Sequence, residues 1–368
     1  MVQNKETQSI NPLLIIFILA AVQTSFGITS YQRIVFEEVE QDSWISILVA
    51  GIILHIMGAI VYFIVKTYKG LSLYIINDQI FGKKIGSLIN LFLVSYFIYV
   101  YWINLANLLL IIKVWVFPNI SLLVLTSLLL FLTIYGVQGG IRVIIGCTFI
   151  AFFMAIWMWF LSFQTLDYAN YFNITPIFTH KPMEILKGSY MMTVSYLGFE
   201  LLFFLLPLIK NVEKSKKFIH IGFSLTIFLY FSVMLFSIFY FGPTQLRRTV
   251  WATLTMYKIA KLPFLERMEI IVVSLWIIVT LPSLLLYMWV SLKGVKKLFK
   301  IGQYSALLII SGIIIVPSIL IDDVGQVMYF TDLLRYFGLI VTVIYPVLLF
   351  VIIMGKKILR RLFNRSKK

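Results

Sequence analysis

An acidic residue, Glu200, lies inside an apolar stretch of this chain, two residues after a glycine. It ends the short polar sequence SYLGFE, residues 195–200, which interrupts the apolar segment 188–209. At the centre of a membrane a charged carboxylate costs about 2.5–3.5 kcal/mol on insertion scales, so it is retained where it is paired or functional. Glu200 is therefore a candidate to recognise an ammonium group or carry a proton. The alternative is a protonated, hydrogen-bonded packing residue.

A second polar stretch, QTSFGITS at residues 23–30, interrupts the apolar segment 11–36. A helix broken in lipid leaves amide and carbonyl groups without partners, at several kcal/mol each, unless they line a cavity or bind a ligand. The N-terminus of a half-helix attracts a carboxylate, and unpaired carbonyls attract an ammonium or a cation. The two interruptions predict a site for a zwitterion. The candidate residues are Thr24, Ser25, Gly27, Leu197, Gly198, Phe199 and Glu200.

For Gly27 alone, close packing of helices is an equally good explanation, because glycine often serves that purpose in membranes. Polar residues of the third apolar segment add to the candidate site. Tyr96 or Tyr99 falls close to one helical face with Asn104 and Asn107. An aromatic stripe also suits a core or a membrane-interface belt, and this remains the alternative for both tyrosines.

Two hydroxyl residues, Thr280 and Ser283, flank Pro282 in the eighth apolar segment. Three residues apart on a helix, they are able to point into the same site, or to bond back to helix carbonyls beside the proline. His55 has no neighbouring His, Cys or carboxylate in its segment, which favours a packing residue over a metal ligand.

The sequence motifs of enzymes are missing from this chain. It has no GxSxG, P-loop or HExxH pattern, so an enzyme is not supported, and we expect neither a cofactor nor a metal site. The single cysteine, Cys147, cannot form a disulfide within the chain.

Composition shows which elements must position these residues. Hydrophobic residues make up 61% of the 368 residues and charged residues 12%, with a mean hydropathy of +0.98, which exceeds what a water-soluble domain can bury. The pattern predicts an all-α membrane protein with ten transmembrane helices and no barrel-type alternation. The predicted spans are 11–36, 44–65, 86–112, 120–138, 143–164, 188–209, 218–241, 268–292, 304–321 and 333–354.

Ten spans in one transmembrane domain, residues 1–368, divide into two repeats of five helices, 11–164 and 188–354. An odd number of spans per repeat inserts the second repeat upside down relative to the first. The broken first and sixth helices then meet at the membrane midplane. A cytoplasmic N-terminus, 1–10, and a basic cytoplasmic tail, 355–368, complete the predicted domain.

The formal net charge of +16 is explained by topology rather than by nucleic-acid binding. With the N-terminus in the cytoplasm, most of the 31 basic residues fall in cytoplasmic loops or the tail, as the positive-inside rule requires. The loop 242–267 is an exception, because its basic residues then face outward. Long loops constrain orientation less strongly, so both termini are predicted to be cytoplasmic.

Three stretches of the chain resemble a known family. They are INPLLIIFILAAVQTSFGI, SYLGFELLFFLLPLIKNVEKSKK and PFLERMEIIVVSLWIIVTLPS. They are similar to the permease-type B subunits of bacterial endospore germinant receptors, over nearly the whole chain from about Ile10 to Gly355. That family belongs to the amino acid, polyamine and organocation transporter superfamily, so the resemblance implies an inverted repeat of five helices with broken first and sixth helices.

The resemblance also implies a function and partners. It implies a nutrient sensor in the inner membrane of the spore, which binds an amino acid or similar small nutrient and acts with a larger A-type subunit and a lipoprotein C-type subunit. The matching motif positions are Gly27, Gly198, Phe199, Glu200 and the signature Glu266, Arg267 and Glu269. The signature lies near the membrane interface, where a structural ion-pair cluster is as good an explanation as signalling.

The chain departs from the family in two places. Its first interruption is less rich in glycine than in many relatives, and its fifth span lacks the lysine that proton-coupled members of the superfamily can carry. The second departure argues against proton-driven transport. Two other functions remain open: an amino acid transporter coupled to H⁺ or Na⁺, and a structural scaffold for partner subunits.

Overall fold

The computed structural model describes residues 10–259, 268–321 and 323–365, with the backbone alone for Glu269 and residues 360–365. Within these ranges the secondary structure is helical, with a single isolated β-bridge between Ile10 and Ile209. The helices are α1 Leu14–Gln23, α2 Tyr31–Val39, α3 Ser43–Thr67, α4 Leu73–Trp115, α5 Leu122–Gln138, α6 Gly140–Leu161, α7 Pro182–Met191, α8 Leu202–Leu205, α9 Val212–Leu246, α10 Ala252–Met256, α11 Met268–Phe299, α12 Gln303–Leu320, α13 Val324–Leu339 and α14 Tyr345–Arg365.

Seven helical segments among the described residues are long and apolar enough to cross a membrane, so the chain is an integral membrane protein. They are Tyr31–Thr67, Leu73–Trp115, Gly140–Tyr168, Val212–Leu246, Ile270–Phe299, Gln303–Leu320 and Val324–Leu359. Three apolar helices are shorter: Leu14–Gln23, Leu122–Gln138 and Phe199–Leu208. Two of these three belong to the predicted first and sixth spans, which are interrupted. The count of ten spans stays a prediction.

Two of the long helices contain a glycine with a backbone conformation that other residues rarely adopt. In α4, Gly82 (φ 80°, ψ 165°) separates a short N-terminal helix from the long helix that follows. In α9, Gly242 (φ 65°, ψ 169°) precedes Pro243 near the end of the helix. The predicted third and seventh spans therefore lie inside longer segments that turn at these glycines.

The core of the bundle is formed by α1, α4, α9 and α11. Helix α11 packs most extensively against α4 and also contacts α6, while α1 packs between α6 and α9. Helices α5 and α12 lie at the periphery and expose apolar side chains such as Phe131 and Leu308, as lipid-facing helices do. The interrupted segments thus lie among the most buried helices.

One end of the bundle, called the Asp42 end, is closed by a carboxylate that binds a backbone segment. Asp42, fully buried between α2 and α3, accepts hydrogen bonds from the amides of Phe178 (2.7 Å), Thr179 (2.8 Å) and His180 (3.1 Å). The His180 ring lies 3.0 Å from the same carboxylate. The connection 162–181 between α6 and α7 is thereby fixed to the α2–α3 turn.

The opposite end, called the Ile10 end, is held by backbone pairing and by a polar cluster. The amide of Ile10 donates to the carbonyl of Leu208 (2.9 Å), and the amide of Lys210 donates to that of Ile10 (3.4 Å). Nearby, Asp78 at the start of α4 pairs with Lys297 of α11 at 2.6 Å. The backbone pair joins the start of α1 to the segment after α8, and the ion pair joins α4 to α11.

Candidate ligand site at the helix breaks

The first break begins where α1 ends, at Gln23. The Thr24 amide and hydroxyl both donate to the carbonyl of Ala20, at 2.9 and 2.7 Å, so the threonine caps the helix rather than extending it. A single 3₁₀ turn, Gly27–Thr29, follows before α2 starts at Tyr31. The structure therefore interrupts the helix within the predicted stretch 23–30, and residues 23–29 are all buried.

The second break separates α7 from α8 and is longer than predicted. The chain leaves the helix after Met191, runs through turns over residues 192–198, and re-enters a 3₁₀ turn at Phe199–Leu201. Gly198 has φ 118°, a conformation that requires glycine, and a Cβ there would lie 2.5 Å from the Val22 side chain. Leu197 lies in the irregular segment, whereas Phe199 and Glu200 lie in the turn that follows.

The two breaks are in direct contact. A Cβ on Gly27 would lie 2.8 Å from the Cα of Ser195, so glycine is needed here for close approach. The Gln23 side-chain amide donates to the carbonyl of Tyr196 at 2.9 Å. The Tyr230 hydroxyl, from α9, lies 2.7 Å from the carbonyl oxygen of Gln23 and 3.1 Å from that of Ser195. Side chains thus bind backbone carbonyls in both breaks.

Glu200 is buried and already has donors. Its Oε2 accepts from the amide of Gly198 (2.8 Å) and its Oε1 accepts from the hydroxyl of Tyr287 (2.7 Å). Each carboxylate oxygen still has acceptor capacity for a ligand donor. Tyr287 was not among the predicted residues, although it shares a helical face with Thr280 and Ser283 at spacings of seven and four residues, and this signal is present in the sequence.

A second polar contact ties the first break to α4 and α11. The hydroxyls of Ser25 (3.1 Å) and Ser283 (3.0 Å) both donate to Oδ1 of Asn104. The Asn104 side-chain amide donates to the carbonyl of Val100 at 2.8 Å, and this bond fixes the orientation of the Asn104 side chain. The buried hydroxyl of Thr280 has no hydrogen-bond partner among the described residues. Ser25 and Ser283 are therefore brought together through Asn104.

The two tyrosines of α4 point in different directions. Tyr96 interacts electrostatically with Glu200, and its buried hydroxyl has no partner among the described residues. Tyr99 donates instead to the carbonyl of Phe330 on α13 (2.7 Å) and packs against Phe337. Tyr96 lies near the second break, whereas the described contacts of Tyr99 are made with α13 and α4.

His55 has a partner that the sequence did not reveal. Its Nδ1 lies 2.8 Å from the Nδ1 of His220 on α9, and the two rings are stacked with centroids 5.1 Å apart. The expectation that His55 lacks a neighbouring histidine is wrong, because packing of α3 on α9 brings together residues 165 positions apart. The pair lies outside the breaks.

Part of the predicted signature cannot be placed. Glu266 and Arg267 lie outside the described residues, and so does the side chain of Glu269, whose backbone lies in the first turn of α11.

Little space is open between the breaks and the Asp42 end. A cavity of about 30 Å³, room for a water molecule or two, is lined on that side by Ser30, Arg33, Asn107, Trp251 and Asp332, among others. A larger pocket of about 160 Å³ lies behind the second break, against Tyr196 and Phe199, and its lining is mainly apolar. The breaks themselves touch, where Gly27 meets Ser195.

Comparison with known proteins is consistent with this architecture. Residues 9–327 match the spore permease family, described as spore germination protein. The chain is 32% identical to spore germination protein GerQB of Bacillus cereus over 352 residues, 96% of this chain and 98% of that protein. It is 23% identical to spore germination protein A2 of Bacillus subtilis (strain 168), over 86% of this chain and 88% of that protein.

A solved structure shares the fold at low sequence identity. It is the substrate-bound, outward-open state of a Na⁺-coupled sialic acid symporter, with a TM-score of 0.63, 13% identity, and coverage of 92% of this chain and 78% of that one. The fold is therefore that of a helical membrane transporter. Together with the match over most of the sequence, this shows that the chain belongs to the spore permease family of spore germination proteins.

Proposed function

We propose that this protein is the nutrient-sensing, permease-like subunit of a spore germinant receptor, and that an amino acid or similar small nutrient binds between its two helix breaks. The observation that carries the proposal is the contact between the breaks, where Gly27 meets Ser195 and side chains bind carbonyls of both. Irregular backbone inside a membrane persists where it is buried in protein or lines a site.

The chemistry of the breaks suits a zwitterion. Carbonyls of Gln23, Ser195 and Tyr196 accept hydrogen bonds in the closed site and suit the three donors of an ammonium group. Glu200 provides a compensating negative charge next to the second break. Amide groups near Thr24 to Gly27 are proposed to bind the carboxylate. Those of Thr24 and Ser25 donate to the carbonyls of Ala20 and Val22 in the closed site, so they are proposed to become available when these bonds open.

The proposed architecture extends the described fold. Two five-helix repeats, 11–164 and 188–354, place the first and sixth helices in opposite directions, and both breaks then fall at the same depth. The Ile10 end is proposed to face the cytoplasm, because lysines such as Lys66 and Lys297 concentrate there. The proposed location is the inner membrane of the spore.

The signal is proposed to be a change in the arrangement of the two broken helices. A nutrient that binds more tightly when the breaks are apart shifts the population toward that state, by no more than its difference in affinity for the two states. Partner subunits, an A-type subunit and a lipoprotein C-type subunit, are proposed to detect the shift and begin germination.

The test is the dose dependence of germination in spores that carry Glu200→Gln. We expect the nutrient concentration for half-maximal response to rise about tenfold or more, since a hydrogen bond to a charged group contributes about 1.5–3 kcal/mol. Glu213→Gln, at an exposed glutamate of α9, is the matched control and should behave as wild type. An unchanged dose response at normal protein level would remove Glu200 from the site.

A secondary transporter is the second candidate, because the fold is shared with a Na⁺-coupled symporter and because the hydroxyls of Ser25 and Ser283 meet at Asn104 beside the first break. Uptake of labelled amino acids into liposomes that contain this chain alone separates the two functions. Uptake that depends on a Na⁺ or H⁺ gradient would favour the transporter, and binding without uptake would favour the receptor subunit.

A further inference from the structure

We propose that the hydroxyl of Tyr230 takes, in the closed site, the place of the nutrient's ammonium group. Tyr230 belongs to α9, outside both breaks, and its side chain is fully buried. Its hydroxyl binds the carbonyl of Gln23 in one break and that of Ser195 in the other. This inference rests on the proposed function and specifies which groups of that site the ligand must displace.

The hydrogen-bond geometry explains why a ligand can displace the hydroxyl. A tyrosine hydroxyl has one hydrogen, so the two carbonyls must share it at 2.7 and 3.1 Å. An ammonium group has three hydrogens and a positive charge, and it forms stronger, charge-assisted bonds to the same acceptors. The carbonyls of the breaks are therefore better satisfied by the ligand than by the protein's own side chain.

Contacts with its neighbours hold Tyr230 in place. Tyr31 donates to the Tyr230 backbone carbonyl at 2.5 Å, and the rings of Tyr31 and Tyr196 pack edge-on against the Tyr230 ring at 4.7 and 5.4 Å. Tyr31 begins α2, next to the first break, and Tyr196 lies in the second break, so these contacts hold the Tyr230 ring in the closed state. A second internal donor, the Gln23 side chain, binds the carbonyl of Tyr196, while its own Oε1 has no partner among the described residues.

Competition between these donors and the ligand changes the apparent ligand affinity in a definite direction. The Tyr230 hydroxyl stabilises the empty, closed site, so it lowers the apparent affinity for any ligand that uses the same carbonyls. Removing it should raise that affinity about three- to tenfold, because one hydrogen bond contributes about 0.5–1.5 kcal/mol net. A residue that binds the nutrient directly would give the opposite sign.

The experiment measures ligand affinity in Tyr230→Phe, using the purified full chain in lipid nanodiscs and a panel of L-amino acids and the matching carboxylic acids without the amino group. We expect a three- to tenfold gain for amino acids that bind wild type, no gain for the deaminated acids, and a lower unfolding temperature of the empty protein. Tyr101→Phe is the control, since that buried hydroxyl donates to Thr133 of α5 rather than to a carbonyl of either break.

A loss of affinity in Tyr230→Phe, or an equal change for amino acids and deaminated acids, would overturn the inference. If wild type binds no amino acid, the proposed ligand class fails first and the inference fails with it. Gln23→Met removes the second internal donor with a side chain of similar length and should also raise the affinity. It provides the same test if Tyr230→Phe does not fold, and a loss of affinity in Gln23→Met would then overturn the inference.

Discussion

Glycine has different functions at the two central positions of the candidate site. At Gly27 the requirement is space, because the backbone of Ser195 lies where a side chain would begin. At Gly198 the requirement is both space and conformation, because φ is 118° and Val22 lies against the missing Cβ. The Gly198 amide also donates to Glu200, so this backbone conformation orients the one carboxylate of the second break.

At the residue scale we predict that Gly198→Ala destabilises the protein by about 2–5 kcal/mol. The left-handed conformation costs about 1–2 kcal/mol and the overlap with Val22 about 1–3 kcal/mol. Unfolding of the purified protein in mixed micelles measures this change. Gly146→Ala is the control, because Gly146 lies in α6 with open space around it and alanine favours a helix by about 1 kcal/mol. Equal stability of the two variants would contradict the prediction.

At the scale of helices and connections, Asp42 fixes a long connection to the turn between two helices. Its carboxylate binds three consecutive amides of the connection between α6 and α7. The connection precedes α7, which leads into the second break. Through α7, this single side chain therefore links the α2–α3 turn to one arm of the candidate site.

We predict that Asp42→Asn loosens this connection. The asparagine nitrogen faces amide donors, which leaves at least one buried amide unpaired at a cost of about 1–3 kcal/mol. Limited proteolysis or hydrogen exchange of residues 170–181 should show faster cleavage or exchange than in wild type. Asp167→Asn, at an exposed residue of the same connection, should leave both rates unchanged. Protection as strong as in wild type would show that the clamp is dispensable.

The positions of the two breaks could be predicted from the sequence, but the start of the second break and the contact with Tyr230 could not. Polar residues beside glycine in an apolar segment are costly in a membrane, so QTSFGITS and SYLGFE marked the interruptions. The second break starts earlier than predicted, at Met192. The sequence does not signal this start, because residues 191–194 are compatible with a continuing helix and only tertiary contacts end it. Tyr230 lies 207 residues from Gln23, and no local spacing signals that contact.

At the scale of the whole molecule, contacts among the described residues tie the chain together at both ends of the bundle. Backbone pairing joins Ile10 to the segment after α8, and the connection clamped by Asp42 lies over the other end. The breaks touch between them. Separation of the breaks therefore requires that the contacts at one of the two ends give way.

We predict that a disulfide between Ile10→Cys and Ile209→Cys blocks the nutrient response. The two residues form a β-bridge, so their Cα atoms lie within the range that disulfides span. Cys147→Ser removes the native thiol from the background. Germination should be lost after oxidation and return with reductant, while Ile10→Cys alone responds normally. A full response in completely cross-linked protein would show that this end does not move.

The pairing at Ile10 also sets a scale for the strength of nutrient binding. Two backbone hydrogen bonds of about 0.5–1.5 kcal/mol each, one of them 3.4 Å long, hold the start of the chain against the segment after α8. A dissociation constant of 1 mM corresponds to about 4 kcal/mol. If most of that free energy favours the separated state, a nutrient bound at the proposed site with millimolar affinity is sufficient to break this backbone pairing. The proposed function therefore does not require tight binding.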